Sequence, residues 1–204
     1  MIPALVEKRL GELDKNLVEY SDDSLHLIED SMEGKADLEL KLQMPCILFK
    51  HLEDKKLQYF LIEKCADFVV LEYKNDGWFV HIFEMKRTIR PKSWETIKEQ
   101  FAGAILNALA LTGIFSIDLH FSNVMVYSCY RNDKIDDSTN PAKQRLRMTD
   151  VTERVSETQI SVSDTDWNEE FLLIPLSQDT VRCHHQKIKL DVETGKGNFT
   201  LSAN

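Results

Sequence analysis

Two apolar stretches decide the fold of this chain: CADFVVL at residues 65–71 and WFVHIFEMK at residues 78–86. Each has the length and the β-branched and aromatic content of a strand. The four residues Lys-Asn-Asp-Gly at 74–77 lie between them, and Asp-Gly between two apolar runs is a strong hairpin signal. Because apolar residues occupy both faces of the second stretch, the sequence predicts a hairpin that is covered on two sides.

Three ionisable residues, Asp67, Glu84 and Lys86, lie on these apolar strands, where they are costly unless they are paired or used. Side chains alternate along a strand, so Glu84 and Lys86 project from one face, about 6.6 Å apart. A turn at 76–77 would set Asp67 opposite Lys86, whereas a turn at 75–76 or a four-residue loop would set it opposite Glu84. Any even-length loop gathers the three groups on one face, and an odd loop or a bulge separates them. We expect an even loop, because Asp-Gly favours a two-residue turn.

An apolar helix is predicted after the second strand. Pro91 ends that strand, and Ser93 has the residue type of a helix N-cap. The alanine-rich stretch 102–111 is apolar on all sides, as in a helix buried against a sheet. Gly113 is the predicted C-terminal cap. Gln100 on this helix is either a solvated residue or one that reaches back towards the strand ends.

Asp67, a hairpin, Glu84-x-Lys86 and a following helix with Gln100 together resemble the PD-(D/E)XK nuclease superfamily, which has the restriction-endonuclease-like fold. The resemblance covers about residues 60–130. It implies an α/β (α+β) protein with a central mixed sheet that contains an antiparallel hairpin and is flanked by helices. The further strand of such a core is expected at residues 122–130.

The resemblance also implies a catalytic site. Asp67 and Glu84 would bind Mg²⁺ or Mn²⁺, and Lys86 would orient or deprotonate the attacking water. Gln100 matches the helix glutamine of the recombination and phage exonuclease branch. The tyrosine that this branch has one turn later is replaced by Ala104, and the proline before the aspartate is absent. Hard carboxylate oxygens and a lysine suit phosphodiester hydrolysis, which needs a neutralised phosphate and an activated water.

A further acidic ligand commonly comes from the first helix in this superfamily. Residues 4–19 predict an amphipathic helix, with leucines among charged residues. Glu7, Glu12 and Glu19 are all candidates, and the sequence does not choose among them.

Three regions are predicted along the chain. Residues 1–130 form the restriction-endonuclease-like core, and the polar residues 131–170 form a loop or linker. Residues 171–204 form a C-terminal β extension that packs on the core. Within it, apolar runs at 181–192 and 198–201 flank Thr-Gly-Lys-Gly and predict a C-terminal β-hairpin.

The charge distribution favours a nucleic-acid partner only in the middle of the chain. The net charge is −9, which counts against a simple nucleic-acid binder. Residues 1–63 carry a net −6, residues 64–147 a net +2 and residues 148–204 a net −5. The non-acidic middle part holds the basic residues that are the candidates for phosphate contacts, namely Arg87, Arg90, Lys92 and Lys98. Ordinary solvated charges are an equal alternative.

Composition indicates a cytoplasmic protein without a membrane span. The 204 residues include 43% hydrophobic residues but no apolar run of about 18, and the N-terminus lacks a signal-peptide pattern. The four cysteines are scattered without metal-site spacing, as expected of free thiols in a reducing compartment. Adjacent His184 and His185 on a strand point to opposite faces, so they are not expected to share a zinc ion.

Three functions remain open on the sequence. The first is a Mg²⁺-dependent nuclease that hydrolyses DNA or RNA. The second is a catalytically inactive, nuclease-like protein that serves as a binding or assembly module, alone, as a homodimer or with a protein partner. The third is an unrelated α/β protein in which Glu84-x-Lys86 is an ordinary surface ion pair.

Overall fold

The computed structural model describes residues 2–31, 34–55, 60–135, 166–176 and 179–201. Its helices are α1 (Ala4–Leu10), α2 (Leu52–Lys55) and α3 (Pro91–Ile114), with short 3₁₀ turns at Phe121–Asn123 and Asp166–Asn168. Its strands are β1 (Val18–Ser21), β2 (Ser24–Ser31), β3 (Gly34–Leu42), β4 (Cys46–Phe49), β5 (Phe68–Lys74), β6 (Gly77–Ile89), β7 (Val124–Asp133), β8 (Phe171–Pro175), β9 (Thr180–Lys189) and β10 (Lys196–Leu201).

A seven-stranded mixed sheet forms the centre of the fold, in the order β1-β4-β5-β6-β7-β9-β8. The strands β4, β5 and β6 pair antiparallel, whereas β6, β7 and β9 pair parallel. The α3 helix provides the crossover between the parallel strands β6 and β7, as such connections require. The predicted α+β class with a central mixed sheet and an antiparallel hairpin is therefore confirmed, as is the strand expected at 122–130.

The β5–β6 hairpin turns at Asn75 and Asp76, and Lys74 pairs with Gly77. Both turn residues have positive φ angles, 51° and 59°, as a two-residue type I′ turn requires. The loop is therefore even, as expected, and its position is one of the two considered. Phe68 pairs with Phe83, so the next position outward sets Asp67 opposite Glu84.

The two faces of the central sheet have separate apolar cores. One core lies under α3 and joins Val69, Val80 and Ile82 of the hairpin to helix residues such as Phe101. The other lies under a second sheet, β10-β3-β2, and contains Phe68, Phe83, Leu38, Leu25 and their neighbours. The hairpin is thus covered on two sides, which explains why both faces of its sequence are apolar.

The α3 helix begins at Pro91, three residues before the start that an N-cap at Ser93 predicts. Arg90 is the N-cap, and the Ser93 side chain accepts a hydrogen bond from the Arg90 amide at 2.7 Å. Proline at the first helical position has no amide to satisfy, so it starts the helix as well as ending the strand. The helix also continues through Gly113 to Ile114, so the predicted glycine cap is wrong.

Gly103 brings α3 into contact with the segment that leads to Asp67. A Cβ atom at Gly103 would lie 1.8 Å from the carbonyl oxygen of Lys64. Three residues earlier on the helix, the carbonyl oxygen of Gln100 accepts a hydrogen bond from the Ala66 amide at 3.1 Å. The helix therefore fixes the chain immediately before Asp67.

The C-terminal strands do not pair as the sequence suggests. A C-terminal hairpin is present, but it joins β8 and β9 and extends the central sheet. The last strand, β10, pairs parallel with β3 in the second sheet, so the predicted hairpin between 181–192 and 198–201 is wrong. Tertiary packing of Phe199 and Leu201 into the second core overrides the local turn signal.

Most of the predicted loop or linker at 131–170 lies outside the described residues. At its start, β7 continues to Asp133. At its end, residues 166–168 form a 3₁₀ turn with a fully buried Trp167. Among the residues that the structure describes, no helix combines the length and hydropathy needed to span a bilayer.

Candidate active site

Asp67 immediately precedes β5 and lies beside the second half of β6. It is 6% exposed, and its Oδ2 accepts a hydrogen bond from the Met85 backbone amide at 2.7 Å. The carboxylate thus binds β6 at a point beyond Phe68–Phe83, the last pair of the β5–β6 ladder. Its position is set by the backbone of the strand that carries Glu84.

Glu84 and Lys86 form an ion pair on the α3 side of β6. The Lys86 ammonium contacts Glu84 Oε1, and the Glu84 side chain is fully buried whereas that of Lys86 is 30% exposed. Because the two residues are separated by Met85, they share a face with Val80 and Ile82. A buried glutamate is tolerated here because a lysine accompanies it.

Asp67 and Glu84 both raise the pKa of the same neighbouring residue, Cys129. The thiol of Cys129, which pairs with Met85 from β7, has its pKa raised by burial first, and then by the charges of Asp67 and Glu84. Both carboxylates therefore lie near one point of the sheet. This agrees with the register, which sets Asp67, one residue before the ladder begins at Phe68, level with Glu84.

The donor set fits a small divalent cation. Mg²⁺ is usually bound by one or two carboxylates, with water and phosphate oxygens in the other positions. Asp67 and Glu84 would supply the two carboxylates. In the part of the chain that the structure covers, no group of three or more His, Cys, Asp or Glu side chains is placed to hold a metal. Asp67 and Glu84 are therefore the two carboxylates to consider as metal ligands, with no third one from the described residues grouped with them.

Gln100 is buried, which rules out its reading as a solvated helix position. It is 6% exposed, and its Nε2 donates a long hydrogen bond of 3.5 Å to the Cys65 carbonyl oxygen. Its Oε1 is buried and accepts no hydrogen bond from the described residues. The side chain and backbone of Gln100 together hold residues 65 and 66, which immediately precede Asp67.

A cavity of about 300 Å³ gives access to Asp67. Its wall is mainly acidic and comes from β2, from the α2 region and from the start of β5; the lining residues are Ile28, Glu29, Asp30, His51, Asp54, Asp67 and Phe68. The negative wall attracts cations and repels bare phosphate.

The basic residues predicted to contact nucleic acid differ in their surroundings. Arg87, Arg90 and Lys92 are exposed. Lys98 is partly buried and lies 3.2 Å from both carboxylate oxygens of Asp166, so it is occupied within the fold. The exposed three lie at the end of β6 and the start of α3, close in sequence to Lys86.

The first helix is shorter than predicted, which removes two of the three acidic candidates from it. It ends at Leu10 rather than extending to residue 19, and Glu12 follows it while Glu19 lies in β1 and pairs with Lys50. Glu7 is on the helix, but it lines a different cavity, with Leu10 and Tyr20.

Sequence reasoning missed a polar pair beside Glu84. Ser128 of β7 is the strand partner of Glu84, and its Oγ lies 3.1 Å from His185 Nε2. As predicted for adjacent strand residues, His184 and His185 differ: His184 faces Glu170, and His185 is buried. The signal was weak, since a single serine in the apolar run at 124–130 reads as a tolerated core residue.

No protein-family model, curated protein or solved structure matches this chain. The resemblance to PD-(D/E)XK nucleases therefore stays an expectation drawn from the sequence.

Proposed function

We propose that this protein is a Mg²⁺- or Mn²⁺-dependent nuclease that hydrolyses phosphodiester bonds of DNA or RNA. The observation that carries the proposal is the even register of the β5–β6 hairpin. It sets Asp67, one residue before the ladder begins, level with Glu84, whose side chain contacts the Lys86 ammonium. The order of hairpin, α3 and parallel β7 matches the core that the resemblance implies.

Each residue has a distinct role in this proposal. Asp67 and Glu84 would hold the cation, which when bound would supply charge neutralisation of the phosphate and an acidified water. Lys86, partly exposed, releases Glu84 and then orients the attacking water or stabilises the charge that develops on the phosphate. Gln100 holds the segment before Asp67 and thereby positions its carboxylate.

The nucleic acid would approach from the end of β6. Arg87, Arg90 and Lys92 are exposed there and suit contacts with backbone phosphates. Lys98 is the least suited of the four predicted contacts, because Asp166 already binds it.

A non-catalytic binding or assembly module is the second candidate. It is favoured by the hydrogen bond between Asp67 Oδ2 and the Met85 amide, which gives that carboxylate a structural use. It is also favoured by the acidic wall of the cavity that Asp67 lines. Under this candidate the protein binds its partner without consuming it.

Cleavage assays with purified full-length protein test the proposal. End-labelled single- and double-stranded DNA and RNA are incubated with chelator, Mg²⁺ or Mn²⁺. We expect metal-dependent cleavage that falls about 10²-fold or more in Glu84→Gln and in Lys86→Met. Glu95→Gln, a change of an exposed glutamate on α3, is the matched control and should cleave normally.

Metal binding separates the two candidates. Mn²⁺ should raise the thermal midpoint of the wild-type protein, and Asp67→Ala should abolish that increase while remaining folded. Full activity in either folded site variant would exclude the assigned site. Absence of cleavage of all four substrates, together with an unchanged midpoint in Mn²⁺, would favour the binding module.

A further inference from the structure

Among the edge strands of the two described sheets, β8 is the one that carries no charged residue. The sheets end at β1 and β8 and at β10 and β2. β1 contains Glu19, β10 contains Lys196 and β2 contains Glu29, whereas β8 reads Phe-Leu-Leu-Ile-Pro. Charged side chains on an edge strand discourage other chains from pairing with it. The β8 edge lacks this protection.

Exposed apolar side chains lie at the same edge. Leu61 and Leu173 are the two most exposed large hydrophobic side chains of the described residues, at 94% and 64%. Both line one groove of about 710 Å³, whose walls come from residues 61–64, α3 and β8. Phe171, two residues before Leu173 and on the same face of β8, is also exposed. A contiguous exposed apolar surface of this kind marks an interaction site.

The charged side chains of the groove are mostly paired within the chain. Of the five that line it, Lys64 contacts Glu99, and the Lys98 ammonium lies 3.1 Å from Glu95 Oε1. These four side chains add no net charge to the groove. The groove therefore does not select an oppositely charged partner, and its charges do not keep two identical copies apart.

The β8–β9 hairpin shows which backbone groups of β8 are already used. Leu176 and Asp179 exchange two backbone hydrogen bonds, with N···O distances of 2.7 and 3.2 Å. At the other end, the Glu170 carbonyl oxygen accepts a hydrogen bond from the His185 amide at 2.7 Å. Because such bonds involve every second residue of an antiparallel strand, the even-numbered residues of β8 bond to β9.

The odd-numbered residues of β8 therefore direct their backbone groups to the free edge. The donors there are the amides of Phe171 and Leu173. The acceptors are the carbonyl oxygens of these two residues and of Pro175, which has no amide. Within the described residues, no strand pairs with these groups.

One symmetric arrangement of two copies uses every donor of this edge. When two β8 strands pair antiparallel about a two-fold axis at Leu173, the two Leu173 residues exchange their N–H···O bonds. Phe171 of each copy then lies opposite Pro175 of the other, and its amide donates to the proline carbonyl oxygen. The missing proline amide thus costs the pairing no donor that Phe171 needs.

The other symmetric registers are worse. An axis at Pro175 would set two residues without amides opposite each other. An axis at Phe171 would pair β8 with the 3₁₀ turn Asp166–Asn168, which is not extended. The edge is therefore complementary to itself in a single antiparallel register.

We propose that this protein forms a homodimer in which the β8 strands of two copies pair antiparallel about an axis at Leu173 and join the two seven-stranded sheets. The side chains of the two Leu173 residues lie against each other, and each Phe171 side chain lies against a proline. The dimer does not rest on the proposed function. β7 and β9 separate β8 from the β5–β6 hairpin that carries the candidate active site.

Cysteine cross-linking of the full-length protein tests the register. In Leu173→Cys the two introduced residues face each other with Cα atoms about 5.5 Å apart, which a disulfide can span. In Phe171→Cys, the matched control on the same face, they lie about 14 Å apart. The four native cysteines are buried. Mild oxidation should therefore cross-link most of the Leu173→Cys protein and little of the Phe171→Cys protein.

Sedimentation equilibrium measures the dimer without cross-linking. Pairing through one edge strand and its groove forms a small interface, so we expect a Kd in the micromolar range. Leu173→Lys sets like charges directly opposite each other and should raise the Kd at least about tenfold. Val192→Lys changes the net charge equally at an exposed hydrophobic residue outside β8, and should leave the Kd unchanged.

Three results would overturn this dimer. One is a wild-type protein that stays monomeric at its highest soluble concentration, which would leave the β8 edge to a different partner. Another is equal weakening of the dimer by Leu173→Lys and Val192→Lys, and the third is equal cross-linking of the two cysteine variants. Loss of the dimer in Leu173→Lys with unchanged cleavage and Mn²⁺ binding would support the dimer and leave the proposed function intact.

Discussion

Gly103→Ala should destabilise the protein and displace the segment that carries Asp67. The added Cβ would lie 1.8 Å from the Lys64 carbonyl oxygen and 3.3 Å from a side-chain carbon of Ile62. A backbone carbonyl cannot rotate away like a flexible side chain, so either α3 or the segment must move. Gly113→Ala on the same helix is the matched control, since no atom of the described residues outside the local helix backbone lies within 4 Å of its Cβ position.

The two variants are expected to change the free energy of unfolding in opposite directions. Alanine is favoured over glycine in a helix by about 1 kcal/mol, so Gly113→Ala should stabilise by roughly that amount. Gly103→Ala has the same gain, but overpacking costs about 1–3 kcal/mol and loss of the Ala66–Gln100 hydrogen bond about 1 kcal/mol more. A net destabilisation of about 1–3 kcal/mol follows.

Thermal unfolding gives the comparison directly. For a chain of this size 1 kcal/mol corresponds to about 2–4 °C, so the midpoints of the two variants should differ by at least about 4 °C. Gly103→Ala should also lose the Mn²⁺-dependent increase in midpoint, because Asp67 follows the displaced segment. Equal midpoints for Gly103→Ala and Gly113→Ala would refute the close approach of α3 to residue 64.

Two further predictions concern the packing next to the site. Because burial lowers the pKa of His185 to about 4, the unfolded chain binds a proton that the folded chain does not; stability should fall as the pH drops from about 6.5 to about 4, by up to roughly 3 kcal/mol. In His185→Phe the urea midpoint should depend less on pH over that range. A pH dependence equal to that of the wild type would contradict the lowered pKa of His185. Trp167→Phe removes the indole N–H that donates to Asp133 Oδ2 at 2.7 Å, and should cost about 2–4 kcal/mol in urea unfolding. An unaltered urea midpoint would show that this hydrogen bond contributes nothing.

The hairpin and its charged residues were predictable because local rules determine them. The Asn-Asp-Gly sequence specifies an even turn, and strand alternation then places Glu84 and Lys86 together. Burial of Gln100 did not follow from its spacing. It depends on the approach of α3 to residues 64–66, which Gly103 allows and which no local pattern reveals.

The errors share a physical cause, which is tertiary packing that overrides local propensity. Leucines continue past residue 10, yet the first helix ends there and the chain enters β1. Nothing in the sequence predicts the contact between His185 and Ser128, because it depends on the pairing of β9 with β7. Such long-range pairings are invisible to a periodicity argument that sees one element at a time.

The parallel pairing of β10 with β3 also constrains the order in which the molecule is built. Residues 43–195 lie between these strands, so their pairing closes a very long loop. Contacts of such high sequence separation slow folding, and the ribosome releases β10 after every other described strand. β2, which walls the cavity at Asp67, belongs to this sheet. The sheet that walls this cavity is thus completed only after residues 196–201 have been synthesised.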